Sequence, residues 1–193
     1  MIGLVRTPEP TKAKVAEDKL SNVQIIHGDL ADAASLFAAA KEVSTIANGT
    51  VDYLVVNGAY MTGPTFALTP KDYDSAEKEA MILSEINMSM HTNVVGSLFA
   101  TNAFLPLLLK SQVKKVTFIS SGAAVNELNM KAGFKLQLPY AFSKAALTTL
   151  AGKCALEYKE QGVKFVALAP GYVLTLAKNV DDRESQSHFH YYR

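Results

Sequence analysis

Val51-Asp52-Tyr53-Leu54-Val55-Val56-Asn57-Gly58-Ala59 is an apolar run of strand length that stops at an Asn and two small residues. A short run of this kind, apolar on both faces, reads as a strand buried inside a sheet. Comparable runs occupy residues 2–5, 23–27, 115–120 and 163–169. Between them lie segments with helical spacing, 10–20, 31–47, 84–109 and 139–161. Asp32 is placed to cap the second, Pro139 suits the first turn of the last, and Gly162 suits its end. Regular strand–helix alternation predicts an α/β fold, a doubly wound parallel sheet with helices on both faces. Residues 59–85 form a long connection containing Gly63, Pro64 and Pro70, and connections of that length are often functional.

The chain has 193 residues, 49% hydrophobic and 19% charged, enough for one domain with a sizeable core. A formal net charge of +1 gives no field that would favour nucleic acid or an anionic membrane. The longest apolar stretch, 98–109, is too short to span a bilayer, and no secretory leader is visible. The single Cys154 cannot form an internal disulfide, so a cytoplasmic setting is expected, and its helical context marks it as a core residue. His27, His91, His188 and His190 show no metal-ligand spacing, and no metal is expected. Residues 1–176 carry the α/β pattern. Residues 177–193 turn polar and are expected to be a poorly ordered tail.

Pro139-Tyr140-Ala141-Phe142-Ser143-Lys144 places a phenol and an ammonium four residues apart, on one face of a helix. A phenol with an ordinary pKa of about 10 exchanges protons poorly at neutral pH, and an adjacent cation lowers that value. The pair is therefore a proton donor–acceptor candidate. Taken alone, the same spacing also suits a Tyr and a Lys on a solvated helix face.

Further features line up in order: Ile26-His-Gly-Asp29-Leu30, the stretch ending Asn57-Gly58-Ala59, His91-Thr-Asn93-Val-Val-Gly96, Ser120-Ser121-Gly122, the Tyr140–Lys144 pair, and Ala169-Pro170-Gly171-Tyr-Val-Leu-Thr175. Together they resemble the short-chain dehydrogenase/reductase family over most of residues 1–176. The resemblance implies a Rossmann-like fold and interconversion of a small-molecule carbonyl and alcohol by hydride transfer. It implies Tyr140 as general acid/base, with Lys144 lowering its pKa and binding the nicotinamide ribose. Ser121, rather than Ser120, would hold the substrate oxygen. Asn93 would bind a water that links Lys144 to solvent; a helix-interior Asn bonded to backbone is the other reading.

The same resemblance places Asp29 and Leu30 at the adenine, Asn57, Gly58 and Ala59 at the adenosine ribose, and Pro170, Gly171 and Thr175 at the nicotinamide. Asp29 could equally cap a turn. Val56 stands where the family has a first Asn, and the small pair is in swapped order. Arg6 ends the first strand where an acid would bind NAD ribose hydroxyls, so NADP(H) is expected over NAD(H). An ordinary solvated Arg is the competing reading.

Three departures stand beside the resemblance. The chain opens on what would be the family's second strand, so the first strand and its glycine-rich phosphate turn are absent from the pattern. Losing a central strand would leave two rows of backbone groups unpaired unless the sheet closes over the gap. After Thr175 a polar stretch stands where the family continues, and residues 127–137 form an insert, with Met130, Phe134 and Leu136, that is expected either at the substrate mouth or as a plain surface loop. Two functions remain open: an NADP(H)-dependent oxidoreductase, or a non-catalytic or truncated relative that binds cofactor weakly or acts as an assembly partner. A homodimer through helices 84–109 and 139–161 would bury Leu98, Phe99, Phe104, Ala146, Leu147 and Leu150, which could equally face the sheet.

Overall fold

All five apolar runs form strands in the computed structural model, which describes residues 1–61 and 64–171. In chain order they are β1 (Ile2–Val5), β2 (Gln24–His27), β3 (Tyr53–Val56), β4 (Lys115–Ile119) and β5 (Lys164–Leu168). Between them lie α1 (Pro8–Glu17), α2 (Ala33–Ile46), α3 (Ala76–Met90), α4 (Gly96–Leu108), α5 (Asn126–Ala132) and α6 (Leu138–Glu157).

The caps explain the boundaries. Asp32 accepts a hydrogen bond from the Ala34 amide and starts α2, as its sequence position predicts. Ser75 accepts from the Lys78 amide, and Glu77 and Glu79 in the first turn complement the helix dipole. That is why α3 begins at Ala76, well before residue 84. The long connection is correspondingly shorter and includes a 3-10 turn, Pro70–Asp72. α3 runs into α4 through a π-helical turn, His91–Val95, a local widening that often marks a functional position. α6 ends at Glu157; Gly162, at φ 75°, shapes the turn that follows rather than the helix end itself. The expected loop at 127–137 contains α5, and Gly133 closes it in the left-handed conformation.

Every strand pair is parallel, with β1 on β2, β3 on β4 and β4 on β5. The sheet is divided, however. β1–β2 forms one piece and β3–β4–β5 another, so the ladder does not close across the place where a further central strand would run. Helices bridge the two pieces. α2 packs against α4, and Leu36, Ala39, Ala40 and Val43 join Ala100, Ala103, Phe104, Leu107 and Leu108 in one core with Val116 and Phe118. Each large side chain fully buried in this way contributes about 1.5–3 kcal/mol.

Register divides β3–β5 into two faces. Leu54, Val56, Val116, Phe118, Phe165 and Ala167 point into or against the core. On the other face the described residues leave Tyr53 61% and Val55 58% exposed, and Val166 and Leu168 about half exposed. Gly96 marks the tightest junction between the pieces: a Cβ there would overlap the Leu30 carbonyl oxygen, so the turn after β2 lies directly on the start of α4.

Candidate active site

α6 begins beside the carboxyl end of β4, and this meeting assembles the Tyr140–Lys144 pair. Ser120 fastens the two elements: its hydroxyl donates to the Lys144 carbonyl at 3.3 Å and lies 3.0 Å from Thr148 Oγ1. Ser120 therefore holds the helix, whereas Ser121 faces the phenol. Ser121 Oγ accepts from the Ala123 amide at 3.2 Å, and its hydroxyl is close enough to the Tyr140 phenol to favour the ionised form.

Lys144 is only 2% exposed. Its Nζ donates to the Ile119 carbonyl at 2.6 Å and lies 5.5 Å from the centroid of the Tyr140 ring. Burial pulls the ammonium down to a pKa of about 8. Burial also pushes the Tyr140 phenol up, and the Ser121 hydroxyl opposes it. The ammonium sits over the Tyr140 ring and donates its hydrogen bond to a backbone carbonyl, and burial is the larger influence on the phenol.

The Lys144 shift has a measurable sign. Below about pH 8 the folded and unfolded chains both hold the proton, and burying the charge costs stability. Between about pH 8 and the ordinary value of 10.5 the unfolded chain binds more protons, so stability from this group rises with pH. We expect the melting temperature of the cofactor-free wild type to rise relative to that of Lys144→Met over that interval. Parallel pH profiles for the two proteins would contradict the shift.

Asn93 lies in the π turn and is wholly buried. Its Oδ1 accepts from the Tyr60 amide at 2.6 Å, and its Nδ2 donates to the Tyr60 carbonyl and to Ser143 Oγ, each at 2.9 Å. Ser143 in turn donates to the Tyr140 carbonyl at 2.8 Å. The side chain ties the segment after β3 to the helix of Tyr140 and Lys144. The backbone-bonded reading describes the hydrogen bonds in place.

The remaining positions line the carboxyl ends of parallel strands, where open α/β sheets bind ligands. Exposed Arg6 follows β1, partly buried Asp29 and Leu30 follow β2, and exposed Asn57, Gly58 and Ala59 follow β3. Pro170 and Gly171 follow β5, with Gly171 at φ 79°. Asp29 Oδ1 accepts from the Ala31 amide, so it caps a turn as one reading held. Thr175 and the segment 177–193 lie outside the described residues. Among the described residues, no group of three His, Cys, Asp or Glu is arranged to hold a metal. Cys154 is buried and its thiol is pushed up, first by burial and then by Glu157, as suits a core residue.

Two residues without an assigned role also reach Tyr140: Glu85 on α3 and Gln137 at the start of α6 line a cavity together with it. The insert reaches the site through Gln137. Met130, by contrast, is 83% exposed and points away from the interior. Glu85 carries no local signal, since one acid on a helix reads as surface. The unusual feature of Gln137, a left-handed backbone at φ 62° in a non-glycine residue, is invisible in sequence.

A protein-family model described as short chain dehydrogenase matches residues 2–186. The chain is 37% identical over 181 residues to short-chain dehydrogenase/reductase iacC of Pestalotiopsis fici, covering 90% of this chain and 64% of the relative. It is 38% identical over 175 residues to short-chain dehydrogenase/reductase AacuF of Aspergillus aculeatus, again covering 90% and 64%. It thus spans about two thirds of the length of these relatives. Among solved structures, NADPH-bound carbonyl reductase from chicken fatty liver superimposes with a TM-score of 0.69 at 25% identity, over 88% of this chain and 67% of that one. The Pseudomonas aeruginosa RhlG/NADP complex gives a TM-score of 0.71 at 22% identity, over 90% and 62%, and shares the fold.

Proposed function

The chain belongs to the short-chain dehydrogenase family, and from that premise we propose that it serves an NADP(H)-dependent interconversion of a carbonyl and an alcohol. The observation that carries this reading is the grouping of Tyr140, Ser121 and Lys144 at the junction of β4 and α6. Tyr140 donates its hydroxyl proton to the carbonyl oxygen during reduction, Ser121 holds that oxygen, and Lys144 supplies positive charge beside the phenol. Asn93 positions the segment after β3 against this group through Tyr60 and Ser143.

The residues fit the two ends of a dinucleotide. Arg6, Asp29, Leu30 and Asn57–Ala59 form a row at the strand ends for the adenosine half, and Pro170 and Gly171 with Lys144 serve the nicotinamide half. Arg6 suits a ribose phosphate, since a guanidinium matches phosphate and no acid stands beside it. The chemistry the cofactor supplies when bound is hydride transfer. No glycine-rich cradle for the pyrophosphate occurs among the described residues.

The divided sheet supports a second reading, in which the chain keeps the site but holds the cofactor weakly. Titration with NADPH and NADH, followed by cofactor fluorescence, separates the two. Saturable binding with NADPH preferred is the expected result. A preference for NADH would remove the role given to Arg6, and no binding by a folded chain would favour the weak-binding reading.

A homodimer and a cytoplasmic setting belong to the same proposal. Phe104 and Leu147 are buried in the core, so of the apolar residues considered for a dimer they are not available. Half-exposed Phe142 and exposed Leu156 are the surface candidates on α6. No helix of the described residues is long and apolar enough to cross a membrane.

A further inference from the structure

We propose that the cavity beside Tyr140 is a hydroxyl subsite, in which Glu85 and Gln137 select carbonyl substrates that carry a second, hydroxyl oxygen. The inference rests on the carbonyl-reductase reading for the identity of the substrate's carbonyl, but its own carriers are different residues. The cavity is lined by Tyr60, Thr65, Phe66, Glu85, Gln137 and Tyr140, among others. Its volume is about 10 Å³, the space of about one water-sized group. That is too small for a ring and right for a hydroxyl. Ser121, which meets the Tyr140 hydroxyl, is not among the lining residues, so this space is distinct from the position of the reacting oxygen.

Its polar wall is built for a group that both donates and accepts. Gln137 is 9% exposed and lines the cavity, where its side-chain amide is positioned beside Glu85 and Tyr140. A primary amide carries both donors and an acceptor, so one that lines a cavity can serve a ligand atom in either sense. The left-handed backbone of Gln137 at φ 62°, ψ 40° is costly for a non-glycine residue and recurs at functional sites. Glu85 is 6% exposed; its carboxylate accepts from the Thr65 amide at 3.3 Å and from the Thr65 hydroxyl. A carboxylate has about four lone-pair positions, so two remain for an incoming O–H. A ligand hydroxyl would donate to Glu85 and accept from the Gln137 amide. Tyr60, Phe66 and Pro139 flank that position with flat apolar surface, which suits an aromatic or cyclic body.

The test uses the full chain with acetophenone and its three ring-hydroxylated isomers, whose hydroxyl reaches differ. Dissociation constants come from ligand-observed NMR, and NADPH binding is titrated by fluorescence in the same samples. At least one isomer is expected to bind the wild type about tenfold more tightly than acetophenone. In Gln137→Leu and in Glu85→Gln that ratio should collapse to about two or less. Gln at position 85 keeps an acceptor for the Thr65 amide, and if that variant fails to fold by circular dichroism, Gln137→Leu decides. No isomer exceeding acetophenone, undetectable binding of all four included, overturns the subsite. So does a preference that survives both substitutions. If the ratio behaves as expected while NADPH does not bind, the subsite stands and the redox reading falls; if NADPH binds and no isomer is preferred, the reverse holds.

Discussion

Tyr140→Phe is expected to lower carbonyl reduction by about 10²–10⁴-fold, the span that a positioned general acid supplies. The substitution removes one oxygen and leaves the ring under the Lys144 ammonium, 5.5 Å from its centroid. What is lost is the proton that the substrate oxygen must receive and the polar contact with Ser121. Removing one polar contact at a half-buried hydroxyl leaves no buried group unpaired, so the melting temperature should stay close to that of the wild type. The measurement is the single-turnover rate of NADPH oxidation with a saturating ketone, alongside a thermal melt. A retained rate in a folded variant would move the acid/base role to another group. A lost rate with a large drop in melting temperature would mean that the hydroxyl is structural.

Asn93→Ala should have the largest effect on the fold. Asn93 is wholly buried and makes three hydrogen bonds, two of them to the amide and carbonyl of Tyr60. Alanine leaves the Tyr60 amide and carbonyl without these partners and removes the donor that Ser143 Oγ accepts from. Each unmet group costs about 1–3 kcal/mol, so a combined loss on the order of 2–5 kcal/mol is expected. Urea unfolding would show it as a lower midpoint. Hydrogen exchange would place it: the Tyr60 amide, protected in the wild type, should open early. Asn93→Asp retains the acceptor for the Tyr60 amide and loses both donations, and should fall between the two. An alanine variant as stable as the wild type would mean that water reaches Tyr60 and that the clamp is unimportant.

Much of this architecture was readable along the chain. The five strands lie where the short apolar runs predict, because a buried parallel strand needs apolar side chains on both faces, and that leaves a local mark. Asp32 was recognisable as a cap because capping is settled within a few residues. The Tyr140–Lys144 pair was recognisable because a helical turn brings positions i and i+4 together whatever surrounds them. The early start of α3 was missed because Ser75 lies in a polar stretch with no apolar period to announce the helix. α5 was missed because a short helix of about two turns in a charged insert has no core face.

The sequence by itself determined the order and direction of the strands, the helices between them and the placing of Tyr140 and Lys144 one turn apart on a helix. All of these depend on side-chain period and on contacts within a turn or two. Only the tertiary structure decided that the sheet stays in two pieces, that Asn93 clamps Tyr60, and that the buried Lys144 donates a hydrogen bond to the Ile119 carbonyl. It alone decided that Glu85 and Gln137 meet at one cavity beside Tyr140. These outcomes join residues far apart in the chain, through burial and hydrogen-bond satisfaction. No local spacing encodes which distant partner a buried polar group will find.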